Sequence, residues 1–480
     1  MSADRTRREF LKRSAAGVAA GALVEALPTL AADASLSSTP TEIAVRITDE
    51  KRRFEPAANL SWQPISGARS GEVISLDPET KWQEILGFGA AFTDASCYVF
   101  SQLPPDAREK LFHELFHPSE LGLSVCRTCI GASDYSTELY SFDEGEPDAK
   151  LARFSIAHDR AYVLPTLRLA RQINPDLFLF SSPWSPPGWM KLNGSMLGGC
   201  IHKRYFPSYA QYFVKFLQAY AAEGVAIQAV TSQNEVDTDQ DGRMPACLWG
   251  QEYEIEFVKV HLGPALEAQN IPTKIWLLDH NYDLWGRAIC ELDDPGVKRY
   301  SRAIAWHGYA GDVNMVSKVH AAHPDVDMHW TEGGPDITDP NYSGEWVTWG
   351  RTFTGALRNQ CQSMTGWNLA LDEHGRPNLG PFPCGGLVTI HSETKEITRS
   401  GQYWAFAHFS RSILRGARRF ESQGTFEDLD HVACENPGGE KVLVVTNSSA
   451  SRNRNIVLEM SGWMTDLTVP PESLATLTWK

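Results

Sequence analysis

Ile227-Gln228-Ala229-Val230-Thr231-Ser232-Gln233-Asn234-Glu235 runs from an apolar, β-branched stretch into a glutamate, and Val326-Asp327-Met328-His329-Trp330-Thr331-Glu332 does the same. Each reads as a strand whose C-terminal edge presents a carboxylate. A solvated acid at a strand end explains either segment alone. Two of them are informative if one frame brings their ends together, and the flanking sequence supplies that frame.

Further runs of the same kind occupy Glu84–Phe92, Leu121–Ile130, Leu177–Pro183, Lys274–Asp279, Ala303–Tyr309 and Met364–Leu371. Helical periodicity lies between them, most clearly over Ala107–Phe116, Ile156–Ile173, Tyr209–Glu223, Tyr253–Gln269 and Trp346–Cys361, and a last helix is expected over Gln402–Leu414. The strand runs are nearly continuous in apolar residues, as parallel strands covered on both faces require. Repeated strand-then-helix units of this length predict an α/β fold, a (β/α)8 TIM barrel. A doubly wound open sheet fits less well, because no Gly-rich phosphate loop follows a strand.

The chain ends read differently. Short strand candidates with turn signals between them occupy Val45–Ile47, Ser61–Ile65, Glu72–Leu76, Val432–Glu435, Lys441–Asn447, Asn455–Glu459 and Leu474–Trp479. Both ends are expected to pair into one all-β sandwich packed on the barrel. The expected division is residues 1–34 as a leader, 35–80 and 416–480 as the sandwich, and 81–415 as the barrel.

The leader carries Thr6-Arg7-Arg8-Glu9-Phe10-Leu11-Lys12, a twin-arginine pattern, then a small-residue apolar stretch and Ala32-Asp33-Ala34. This predicts export as a folded protein through the twin-arginine machinery, to the periplasm or beyond. No other stretch reads as an integral membrane span. The 480 residues include 44 basic and 59 acidic side chains, a net −15 that argues against a nucleic-acid partner. Nine cysteines without regular spacing are expected to be mostly free, buried thiols, Cys126 and Cys129 of a C-x-x-C match among them.

In strand count, Glu235 closes the fourth strand and Glu332 the seventh, so their side chains meet across the barrel mouth. Paired carboxyls of this kind cleave glycosidic bonds, and a retaining enzyme needs them about 5–5.5 Å apart. Glu235 follows Asn234, whose amide suits a sugar hydroxyl, and is expected to be the acid/base, protonated because ionised Glu332 sits near it. Glu332 is expected to be the nucleophile, with Gly333-Gly334 leaving room for the sugar. Asp94, Arg127, Trp184, His280, Asn281, His307, Tyr309, Trp367 and Asn368 also fall at strand ends, a mixture of polar and aromatic groups that suits a carbohydrate. No cofactor or metal is called for.

Several segments together resemble glycoside hydrolase family 30, the glucosylceramidase-like enzymes. Gly87–Asp94 is similar to the family's F-G-G-x-x-T-D-A, Cys126–Ser136 to R-x-P-x-x-S-x-D-F-S, Ser182–Lys191 to S-P-W-S-P-P-x-W-M-K, and Gly366–Asn378 to W-N-L-x-L-x-x-x-G-G-P-N. Gln233-Asn234-Glu235 and Thr331-Glu332 fall where the family has its acid/base and nucleophile, and Gly401–Gly416 resembles its final helix. The resemblance implies a retaining glycosidase acting without metal on terminal β-glucosyl groups, in a β-glucoside, glycolipid or oligosaccharide. It implies glucose-binding roles for Asp94, Trp184, Asn234, Trp367 and Asn378, support of the carboxylates by Arg127, and a hydrogen bond from Tyr309 to the nucleophile. Gly308 stands where relatives often carry an aromatic, and Val236 replaces the usual proline after the acid/base. These departures weigh against ceramide as the natural leaving group. A β-xylosidase or an endo-β-1,6-glucanase would use the same two glutamates, and a non-catalytic sugar binder would not need both.

His113-Glu114-Leu115-Phe116-His117 matches the H-E-x-x-H motif of zinc peptidases. Pro118 follows at once, and no further His or Gly lies at the metzincin offset, so the match reads as a coincidence on an outer helix.

Overall fold

The computed structural model describes residues 42–66 and 71–480. The twin-arginine segment lies outside the described residues. Eight strands close into a parallel barrel, in chain order Gly87–Phe92, Val125–Cys129, Phe178–Ser182, Ala229–Thr231, Lys274–Asn281, Ser301–His307, Asp327–Glu332 and Cys361–Asn368. The first, second and fourth are buried at every position, the double coverage that makes such strands legible as apolar runs. Below the mouth the interior is filled by Val125, Phe180, Ala229, Trp276, Ala303 and Ala305. Trp276 stacks on His329 with ring centroids 4.0 Å apart, so the barrel is a packed core with one open end.

The outer helices follow the sequence pattern with shifted starts. Pro105–Phe116 begins at a proline, whose missing N–H costs nothing in the first turn. The helix expected from Ile156 begins at Val163, because His158 and Asp159 are held by Asp94, Tyr140 and Tyr220 in the loop before it. The Tyr253–Gln269 region is a helix interrupted by a π-turn over Phe257–Leu262. Glu114 of the H-E-x-x-H match accepts hydrogen bonds from Arg399 and Tyr403, so its carboxylate ties the first outer helix to the last.

Both chain ends build one ten-stranded sheet. Ala44–Thr48 pairs antiparallel with Ser473–Trp479, from Ala44 opposite Thr478 to Thr48 opposite Leu474. The strand over Glu72–Glu84 runs past residue 80 and pairs with both Arg418–Gln423 and Arg454–Met460, so the first barrel strand starts at Gly87. Arg418–Gln423 and Trp463–Val469 complete the sheet without having stood out in the sequence, since charged and polar residues interrupt both. All nine thiols are unpaired.

The last barrel helix, Gly401–Ser410, joins the two layers and is buried almost all round. Its His408 is fully buried between the chain ends, bonded at Nδ1 to Thr476 and at Nε2 to Thr48, 2.8 Å each. Burial holds this imidazole neutral, with its pKa pulled down to about 3. His408→Leu removes both side-chain links and is expected to cost about 1–3 kcal/mol in urea unfolding.

Candidate active site

The strand ends surround a cavity of about 440 Å³, lined among others by Asp134, Trp184, Glu235, Tyr309, Glu332 and Trp367. That volume is in the range of small-molecule sites. Trp184 and Trp367 stack with centroids 5.0 Å apart and 21° between planes, forming one wall. Behind them lies the guanidinium of Arg127, 4.6 Å from the Trp184 ring.

Arg127 is fully buried on the second strand and reaches four others. It donates to Glu332 Oε2 from Nη1, to Asn234 Oδ1 and Asp279 Oδ2 from Nη2 at 2.7 Å each, and to Ser182 Oγ from Nε at 3.1 Å. Asp279 Oδ2 also accepts from Ser182 at 2.8 Å and Thr231 at 2.7 Å, while Oδ1 accepts from Thr331 at 2.8 Å and pairs with His307 Nε2 at 3.1 Å. Burial alone would raise the pKa of Asp279, but the Arg127 charge, His307 and Thr231 more than offset it and hold this carboxyl far below the usual range.

His307 lies between the catalytic candidates. Its Nδ1 is 3.6 Å from Glu235 Oε1 and its Nε2 is 3.8 Å from Glu332 Oε2. Burial works against its charge, yet Glu332, Asp279 and Glu235 together raise its pKa to about 9. Tyr309 adds a hydroxyl bond to Glu332 Oε1 at 3.1 Å, and Gln240 donates to Glu235 Oε2 at 2.7 Å. Glu235 itself has φ +51°, a left-handed conformation uncommon outside glycine, and its N–H donates to the carbonyl of Asp279.

Two cations, Arg127 and His307, therefore face three carboxyls, those of Asp279, Glu235 and Glu332. Neutrality of this buried group leaves one proton for the two glutamates, which titrate as a pair. Burial raises both, and the balance then differs. For Glu235, His307 first and then His280 and Gln240 outweigh burial and the net direction is down. For Glu332, burial with the charges of Glu235 and Asp279 outweighs His307 and Arg127 and the net direction is up. The two directions belong to one coupled pair, and they differ because His307 and His280 favour the charged form of Glu235 while burial and like charges act on Glu332. The His307 ring, whose second nitrogen faces Glu235, was not legible from strand positions.

Glu235, Glu332, Trp184, Tyr309 and Trp367 line the cavity. Arg127, Asn234 and His307 do not line it: Arg127 and His307 face the carboxyls, and Asn234 accepts a hydrogen bond from Arg127. Asp94 and Asn378 do not line it. The Asp94 carboxylate is taken up by Thr137 N–H and hydroxyl, 2.7 and 2.9 Å, and by His158 at 2.8 Å. Asn378 orders its own loop, donating to the Phe382 carbonyl and accepting from Gly380 N–H. Asp134 lines the cavity instead, buried, with Oδ1 unpartnered and its pKa pushed well up by burial and by the charges of Glu332 and Glu235. It lies in the Cys126–Ser136 segment already singled out, so the signal was present. Gln240 had none, being a loop glutamine. At Gly308, a Cβ would come within 2.8 Å of the Trp330 indole nitrogen, which fills the space a side chain would need.

The family model described as the glycosyl hydrolase family 30 TIM-barrel domain matches residues 85–413, and that for the family 30 beta sandwich domain matches residues 416–477. The chain belongs to glycoside hydrolase family 30. It is 33% identical to an endo-1,6-beta-D-glucanase of Neurospora crassa over 414 residues, 82% of this chain and 83% of that one. It is 28% identical over 460 residues to the lysosomal acid glucosylceramidase of Mus musculus, 90% of this chain and 88% of that one. The solved structure titled the endo-beta1,6-glucanase BT3312 superimposes with a TM-score of 0.83 at 28% identity, covering 91% of this chain and 99% of that one. The family 30 protein is therefore a glycosyl hydrolase built on a TIM barrel with a β-sandwich.

Because His307 moves from an ordinary 6.5 to about 9 on folding, its charge stabilises the native state fully below pH 6.5, and this contribution is lost as pH climbs through about 9. The thermal midpoint is expected to fall across that window, and His307→Gln to flatten the fall, both read by calorimetry against pH.

Proposed function

We propose that this enzyme is an endo-β-1,6-glucanase that cleaves with retention through a glucosyl-enzyme ester on Glu332. The observation carrying the chemistry is that Glu235 and Glu332 open into one cavity, and that of the two glutamates only Glu332 accepts from Arg127 and Tyr309. A carboxylate held by two donors is oriented for attack on the anomeric carbon. In the first step the C1–Oε bond to Glu332 forms, the glycosidic C1–O bond breaks, and Glu235 gives its proton to the departing oxygen. In the second, Glu235 takes a proton from water, which attacks C1 and releases Glu332. The reaction requires the shared proton on Glu235 when the sugar is seated. Displacement of water from the cavity strengthens the Arg127–Glu332 attraction and favours that placement.

The linkage preference is supported by the β-1,6-glucanase names of similar proteins. It is also supported by the wall beside Glu235, where Thr238, Gln240, His280 and Asn281 offer hydrogen-bonding groups suited to a second sugar. Glucosylceramide is the second reading, favoured by Pro335, Phe382 and Pro383 on the same cavity. Export by the twin-arginine route, read from the Thr6–Lys12 pattern, belongs to the same proposal.

Incubation with a β-1,6-glucan is expected to release short oligosaccharides, with β-anomers seen first by NMR. Faster turnover of glucosylceramide would put the second reading in its place, and α-anomers first would end the double displacement. Glu235→Ala is expected to lose about 10²- to 10⁴-fold, least on activated aryl glucosides, with azide trapping a β-glucosyl azide. Glu332→Ala with azide should give the α-azide instead. Asp134→Ala, removing a buried hydrogen-bonding group from the cavity wall, is expected to lower kcat/KM by about 10- to 100-fold, with thermal stability as the control for folding.

A further inference from the structure

We propose that Glu235, His280 and His307 form a binding site for one borderline divalent transition-metal ion, such as Zn²⁺ or Co²⁺, which excludes the sugar and silences the acid/base. A ligand atom from each residue lies within 4.8 Å of the others. The His307 Nδ1 to Glu235 Oε1 separation is 3.6 Å, close to the edge of about 3.3 Å between ligands bound tetrahedrally at about 2.0 Å.

Neither of the two imidazole nitrogens is held by a direct hydrogen bond, and the ion would displace the proton of His307. Nδ1 of His307 and Nδ1 of His280 are both buried without a hydrogen-bond partner, and His280 as a residue is buried at a relative exposure of 8%. A buried imidazole nitrogen with no partner is costly to leave so. The other nitrogen of His307 pairs with Asp279 at 3.1 Å, itself bonded to Thr331, Thr231 and Ser182. A carboxylate behind a histidine fixes the tautomer and ring direction, the arrangement metal sites use to aim their ligands. Two imidazoles and one carboxylate select a zinc-like ion over Mg²⁺ or Ca²⁺, which take oxygen donors. Glu235 and His280 face the cavity, so the remaining coordination positions open to water there.

Binding forms one bond from the ion to each ligand and releases the His307 proton to solvent. The Glu235 lone pair then serves the ion and cannot take or return a proton. The double displacement proposed above uses both glutamates and no ion, so on that reading the site acts as an inhibitory one, competing with substrate.

The test is equilibrium dialysis of chelator-treated full-length enzyme against Zn²⁺, with the visible absorption of Co²⁺ as the report on coordination, so it does not depend on which glucoside is turned over. The expected result is one ion per chain with a Co²⁺ spectrum of four- or five-coordinate type, and affinity at least about 10-fold weaker in both His280→Ala and Glu235→Gln. Zn²⁺ inhibition of an aryl glucoside should be competitive and reversed by chelator. Failure to bind, or binding undiminished in both variants while circular dichroism shows them folded, would overturn the proposal. Undiminished binding would direct attention to the stacked His113–His117 pair, whose ring centroids are 4.3 Å apart.

Discussion

The guanidinium of Arg127 is the constraint on which the site depends. It is fully buried and ties the second barrel strand to Ser182, Asn234, Asp279 and Glu332, groups at the ends of four other strands. A buried cation is tolerable only when its donors are satisfied and its charge is matched. Here the match is made by carboxylates that a catalytic site needs in ionised form. The buried ionic cluster that stabilises the barrel mouth therefore also orients the group that attacks the sugar. Trp184 and Trp367 cover the same guanidinium, so the aromatic wall of the cavity and the charged network behind it are one structure.

Backbone strain collects at the same place. Leu278, Asp279 and Glu235 have positive φ, and the register between the fifth and sixth strands shifts between Ala305 and Trp306. Such conformations persist where surrounding contacts over-determine them. The bonds into Asp279 and the Glu235 N–H to Asp279 carbonyl bond supply that determination. The β-sandwich, by contrast, keeps its distance from the chemistry. It joins the barrel through the helices Trp346–Arg358 and Gly401–Ser410, where Arg358 donates to the Ser422 and His431 carbonyls and neutral His408 bridges Thr48 and Thr476.

All eight barrel strands were legible because parallel strands buried on both faces must be apolar throughout, and so announce themselves as runs. Their termini were less clear. The run from Glu84 merged two structures, a sandwich strand ending at Glu84 and a barrel strand beginning at Gly87, since nothing in the local pattern distinguishes a strand that continues from one that changes sheet. Glu235 and Glu332 were legible because strand order alone places them at one mouth. Asp94 and Asp134 were exchanged: both follow barrel strands, but His158 and Thr137 come from a distant loop to occupy Asp94, while no group reaches the Oδ1 of Asp134.

Residue order alone thus determined the barrel, the side domain and the two carboxylates, because hydrophobic period and strand count are properties of the chain itself. Tertiary structure decided which polar groups face the cavity, which are consumed behind it, and which charged groups each glutamate meets. Those are properties of distances across the barrel. The 3.6 Å from the His307 ring to Glu235 and the direct bond from Arg127 to Glu332 exist only after eight strands have closed.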